Sequence, residues 1–145
     1  LIRQAIDESK LSAESRKINI AFDCKIESFV LGDRGQLEMA ISNLVENAIN
    51  YSPDATQVAV TLTKAEGLVE ISIKDQGIGI PDAELKYIYD PFFRASNTLK
   101  YEGYGIGLPL TRNIIRIHNG EIIVSSIMQQ GTTVQINLPV GQYEL

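Results

Sequence analysis

Apolar residues recur through GDRGQLEMAISNLVENAINYS, residues 32–52, at the spacing of one helix face. Leu37, Ile41, Leu44, Val45 and Ala48 gather on one side, and Ser52-Pro53 closes the element. TQVAVTLTKAEGLVEISIKD, residues 56–75, alternates instead, and predicts two strands turning near Glu66-Gly67. Residues 18–24 and the short run 29–31 read as strands, as do 121–127 and 132–139. Residues 108–120 predict a second helix, with Pro109 in its first turn and Asn119-Gly120 as its stop. Between them, 76–107 is a long glycine-rich connection with a short helix near 82–89. At the start, Ile2, Ala5, Ile6, Ser9 and Ala13 are already in helical spacing with no capping residue before them. Residues 1–16 are read as the tail of a helix or linker entering from a preceding domain, 17–141 as the domain proper, and 142–145 as a C-terminal tail. Strands gathered around two main helices predict an α+β fold. Its form would be a two-layer α/β sandwich, one mixed sheet covered on one face by helices.

Composition narrows the partners. A length of 145 residues suits one domain with a sizeable core. The net charge is −5 with a pI near 4.9, and no run of Lys or Arg forms a stripe. Nucleic acid and direct contact with an anionic membrane are therefore not expected. No apolar run approaches the ~18 residues of a membrane span, so a soluble chain is expected. The single Cys24 has no internal disulfide partner, and as one buried free thiol it would fit a reducing compartment.

Three asparagines disturb the first helix. Asn43, Asn47 and Asn50 lie within roughly 60° of one another, opposite the apolar face and beside Glu46. A solvated face is the plain reading, yet Asn costs about 0.5 kcal/mol per site against Lys, Glu or Arg in a helix. Amide oxygens are hard ligands that suit Mg²⁺, and amides also hold phosphate or solvent.

Two glycine-rich stretches add to this. In LVEISIKD, Val69, Ile71 and Ile73 share one face, and Asp75 falls in the same inward register. A carboxylate there needs a partner. It either caps the glycine turn of DQGIGIP, residues 75–81, or forms the floor of a pocket and accepts from a ligand donor such as an adenine amino group. Gly77 and Gly79 would let the backbone approach that ligand. GYGIGLPL, residues 103–110, spaces glycines at 103, 105 and 107 directly before a helix, and is neither a phosphate loop nor a dinucleotide fingerprint. Backbone N–H groups at a helix start still favour phosphate.

In this order and spacing, the motifs resemble the ATP-binding catalytic domain of sensor histidine kinases, within the superfamily shared with gyrase, a heat-shock chaperone and mismatch-repair ATPases. NLVENAINYSP resembles the asparagine box and DQGIGIP the first glycine box. DPFFRAS, residues 90–96, resembles the phenylalanine box and GYGIGLPL the second glycine box. The resemblance spans residue 10 to the NLP at 137–139. It implies the Bergerat-type fold with a flexible ATP lid, and ATP and Mg²⁺ as cofactors. Asn47 would coordinate the Mg²⁺, and Asn43 would support the phosphate side. Asp75 would bind the adenine amino group with Thr132 as companion, and Tyr51 would lie against the ring. Thr132 shares the inward register of Val134, Ile136 and Leu138. Residues 92–106 would be the lid, based on Phe92 and Phe93. Gly103, Gly105 and Gly107 would meet phosphate, with Ile80, Tyr104, Ile106 and Leu108 around the nucleotide. Many relatives place Lys or Arg where this chain has Asn50, which also faces the site, and Arg94 or Lys100 would supply the missing cation.

The implied reaction moves the γ-phosphate of ATP to a histidine, in two-component signal transduction. The only histidine, His118, sits in the last turn of a helix before an Asn-Gly stop, and its reading is structural. The acceptor would lie on a helical dimerisation and phosphotransfer domain of the same parent protein, with a response regulator receiver domain downstream. The fragment would be a cytoplasmic part of a membrane-anchored parent and would not phosphorylate itself alone. One alternative is an ATPase of the gyrase or chaperone type. Such enzymes place a water-polarising glutamate where this chain has Asn43, an amide that cannot act as a base. The other is a nucleotide-binding module without catalysis.

Overall fold

In a computed structural model of the chain, residues 1–141 are described, and the expected tail at 142–145 lies outside the described residues. Two short helices, α1 (Ile2–Glu8) and α2 (Lys10–Ser15), precede strand β1 (Asn19–Cys24). Helix α3 (Arg34–Asn50) follows, opened by Asp33, whose carboxylate accepts from the N–H of Gln36 at 2.8 Å. Strands β2 (Gln57–Ala65) and β3 (Leu68–Lys74) form the expected hairpin, and Glu66 and Gly67 both take left-handed backbone at the turn. Helix α4 (Gly107–Ile117) and strands β4 (Glu121–Ile127) and β5 (Gly131–Pro139) complete the domain.

The sheet is mixed and runs β1-β2-β3-β5-β4, with β1 parallel to β2 and the other pairs antiparallel. Alternation decides its inner face. Val58 and Val60 of β2, Val69, Ile71 and Ile73 of β3, and Ile136 and Leu138 of β5 are buried. The helix face anticipated in α3 meets them, since Leu37, Ile41, Leu44, Val45 and Ala48 are all buried, joined by Ile114 and Ile115 of α4. Helices therefore cover one face of one sheet, the two-layer sandwich expected from the pattern. Burial of about twenty apolar side chains, at roughly 1.5–3 kcal/mol for each large one, is what holds these layers together.

Three expectations need correction. Residues 29–31 form no strand. Val30 packs against the core and the carbonyl of Phe29 accepts from Gly141 N–H at 2.7 Å, so the run is anchored without a ladder. The short helix near 82–89 is a 3₁₀ helix, Asp82–Tyr87, following Pro81, and a second 3₁₀ turn spans Ser96–Thr98. Cys24 is exposed at the end of β1, its Sγ 3.0 Å from the carbonyl of Ile26, which removes the argument from a buried thiol.

Candidate functional site

A cavity of about 250 Å³ opens between α3, the inner face of β3 and β5, and the connection from β3 to α4. Its apolar wall comes from Leu44 and Ala48 of α3, Ile73 of β3, Val124 of β4 and Val134 of β5. Set into that wall is Asp75, only 8% exposed. One carboxylate oxygen, Oδ1, accepts from the N–H of Gly77 at 2.8 Å and from the N–H of Thr132 at 3.1 Å. The other oxygen takes no hydrogen bond among the described residues, and Asp75 lines the cavity. Burial pushes its pKa above the usual value, and the two backbone donors pull it back only in part. Oδ1 thus caps the turn, as one reading of the sequence has it, and the residue lines a cavity, the setting that the other reading requires.

The backbone around Asp75 is closely fitted. A Cβ on Gly77 would lie 2.5 Å from the carbonyl oxygen of Tyr51, so only glycine lets the turn reach the end of α3. That same carbonyl accepts from Ile78 N–H at 3.2 Å. Gly79 and Ile80 line the cavity, whereas Gly77 is not part of its lining.

Thr132 also lines the cavity, but its role differs from the one expected of a side-chain partner to Asp75. It holds Asp75 through its backbone N–H, while its hydroxyl pairs with Ser126 at 2.8 Å. Ser126 Oγ additionally accepts from Ile80 N–H at 2.8 Å, pinning the glycine turn to β4. Sequence reasoning passed over Ser126. The signal was present, since Ser126 shares the inward register of Ile122 and Val124 in β4.

The asparagine stripe divides. Asn47 lines the cavity. Asn43, one turn earlier, borders a separate shallow depression with Glu8, Glu38 and Ser42. Asn50 lies outside the cavity lining, and its Nδ2 donates to the carbonyl of Glu102 at 3.0 Å. Tyr51 lines the cavity and meets the ring of Tyr101 edge-on, centroids 5.5 Å apart.

Residues 92–106 arch over the cavity mouth. Their ends are joined where Phe92 N–H donates to the carbonyl of Gly105 at 2.9 Å. Gly105 has a left-handed φ of 72°, and a Cβ there would stand 2.5 Å from the carbonyl oxygen of Phe93. Phe93 lines the cavity and tilts against Tyr87, whereas Phe92 is 77% exposed. Of the two expected anchors, Phe93 acts through its ring and Phe92 only through its backbone. Midway, Asn97 Nδ2 donates to the carbonyl of Gly79 at 2.8 Å. Gly103, Tyr104, Ile106, Gly107 and Leu108 complete the rim. Gly107 and Leu108 open α4, so their N–H groups have no carbonyl four residues back within the helix.

The expected cations are engaged elsewhere. Arg94 lines the cavity, but its Nη2 donates to the carbonyls of Thr98 and Tyr101 within the arch. Lys100 stands 5.7 Å from the ring centroid of Tyr101. Among the described residues no three His, Cys, Asp or Glu side chains gather to hold a metal. Asn47 lines the cavity, and its amide oxygen is a hard donor of the kind that would fit Mg²⁺, an ion that dehydrates reluctantly and rarely takes an all-protein cage.

His118 is placed away from this chemistry. Its Nδ1–H donates to the carbonyl of Ile114 at 2.7 Å, and Nε2 accepts from Asp33 N–H at 2.9 Å. Both ring nitrogens are committed to joining the end of α4 to the start of α3.

Comparison with known proteins agrees with the geometry. Residues 32–142 match the family described as histidine kinase-, DNA gyrase B- and HSP90-like ATPase. The sensor-like histidine kinase SenX3 of Mycolicibacterium smegmatis is 35% identical over 141 residues, 96% of this chain and 37% of its own length. The chain thus spans little more than a third of that relative. The solved mycobacterial sensor histidine kinase MprB superposes with a TM-score of 0.81 at 30% identity, covering 95% of this chain and 93% of that one. Full-length ShkA in complex with AMPPNP superposes with a TM-score of 0.85 at 23% identity, covering 99% of this chain and 30% of that one, a likeness of fold.

Proposed function

Because the chain belongs to the histidine kinase-, DNA gyrase B- and HSP90-like ATPase family, we propose that its cavity binds Mg-ATP and presents the γ-phosphate to a histidine on another domain. The observation that carries this reading is Asp75: a buried carboxylate with one oxygen satisfied by the protein and the other turned to an apolar cavity. Such a group selects a donor, and the exocyclic amino group of adenine is one. Guanine presents a carbonyl at the corresponding edge and is disfavoured.

Tyr51 flanks the base, and Asn47 would hold the Mg²⁺ carried by the phosphates, whereas Asn43, in its separate depression, takes no part in this cavity. The Gly103–Gly107 backbone and the first N–H groups of α4 face the phosphate side. Mg²⁺ supplies charge neutralisation on the phosphates, and the protein's own share is positioning. A neutral imidazole nitrogen attacks phosphorus, the bond from the γ-phosphorus to the β–γ bridging oxygen breaks, and ADP leaves with the electron pair. His118 cannot be that nucleophile, since its lone-pair nitrogen already accepts from Asp33 N–H. The acceptor belongs to a dimerisation and phosphotransfer domain of the same parent protein, and a response regulator receiver domain takes the phosphoryl group next.

Calorimetric titration of the chain with ATP and GTP, with and without Mg²⁺, tests this. The expected result is Mg²⁺-dependent binding of ATP with GTP at least tenfold weaker, about 1.4 kcal/mol. Absence of heat from a folded chain under every condition overturns it.

A further inference from the structure

The last residue of α3 is bonded on two sides. The carbonyl of Asn50 accepts from Arg16 Nη1 at 3.0 Å, while its side-chain Nδ2 donates to the carbonyl of Glu102 at 3.0 Å. Arg16 grips the rest of the same turn: Nη1 also reaches the carbonyl of Ile49 at 3.0 Å, Nη2 that of Ser52, and Nε the carboxylate of Asp54 at 2.8 Å. A helix end leaves carbonyls open, and a planar guanidinium can satisfy several at fixed angles. Arg16 directly follows α2, whose Ala13 is buried with Ala5 and Ile6 of α1, and its own carbonyl accepts from Ala55 N–H at 3.0 Å. Its backbone is therefore seated by the packing of residues 1–15.

On the other side, Glu102 belongs to the arch over the cavity. The contact lies beside the Tyr51–Tyr101 ring pair, between the anchors at Asn97–Gly79 and Phe92–Gly105, and it alone of the three ties the arch to the end of α3. We propose that Asn50 is the tether that holds this arch down, and that Arg16 is the positioning residue that sets the tether, so that displacement of residues 1–16 loosens the cover of the cavity. The consequence for nucleotide exchange rests on the ATP reading above; the mechanical coupling does not. The amide at position 50 then has a use of its own in place of a cation aimed at phosphate.

Amide hydrogen exchange of the whole nucleotide-free chain, followed by mass spectrometry, tests the coupling. Loss of one such hydrogen bond in Asn50→Ala should quicken exchange across 96–104 about two- to tenfold, leaving β2 and β3 unchanged. Arg16→Gln should quicken the same segment, and the double variant should exceed the larger single effect by no more than experimental error. Arg16→Lys, which keeps the charge without the fork, should fall between, and serves if Arg16→Gln does not fold. No change in Asn50→Ala overturns the tether. A change there with none in either Arg16 variant, or effects that multiply, overturns the coupling. Because no nucleotide is present, these outcomes are separate from failure of ATP to bind.

Discussion

Asp75 shows what a binding site asks of one residue. Its raised pKa means the native state holds the proton more tightly than the unfolded chain does. Stability attributable to this group is therefore fully present below the ordinary carboxylate value and declines as pH rises through the raised folded value. Asp75→Asn keeps an oxygen for Gly77 and Thr132 and removes the buried charge. Thermal unfolding at pH 7 should show the variant at least as stable as the parent, with any gap closing toward pH 3. ATP binding by the same protein should weaken about 10- to 100-fold, the worth of a charged hydrogen bond. A variant that loses stability and affinity together at pH 7 would contradict this account. Ser126 works by support instead. Ser126→Ala leaves Ile80 N–H and the Thr132 hydroxyl without a partner, and urea unfolding should register a loss of about 1–3 kcal/mol. Asp75 was legible in the sequence because alternation alone brings it inward. Its sharing of one oxygen between Gly77 and Thr132 was not, since that depends on β5 arriving beside β3 from 57 residues away.

Elements place these residues. Helix α3 spans from Asp33, where His118 closes onto it, to the turn held by Arg16, and Asn47 lies between. His118→Gln should cost about 1–3 kcal/mol by orphaning a partly buried N–H, measured by chemical denaturation, and should leave phosphotransfer to an added acceptor intact. Ile41→Ala, at the centre of the same helix's buried face, should cost about 2–5 kcal/mol by the same measurement. The helix and hairpin patterns were plain because each repeats over many residues. The run at 29–31 misled because three apolar residues have no period, and only a neighbouring edge could have made them a strand.

At the scale of the molecule, the one histidine has both ring nitrogens committed, so the proposed phosphotransfer calls for a second body. Incubation with γ-labelled ATP should leave the chain itself unlabelled, and addition of a histidine-bearing helical hairpin from a related kinase should bring label onto the hairpin alone. Label on His118 would refute the division of labour. By itself the sequence determined the two main helices and the hairpin, the inner faces of α3 and the strands, and the inward carboxylate at 75. Those follow from periods of two and 3.6 that each stretch carries within itself. Tertiary structure alone decided that Asn47 faces the cavity while Asn43 and Asn50 do not, that Arg94 serves the arch, and that Ser126 braces the glycine turn. These depend on partners distant in sequence, and a side chain's direction around a helix says where it points but not what stands there.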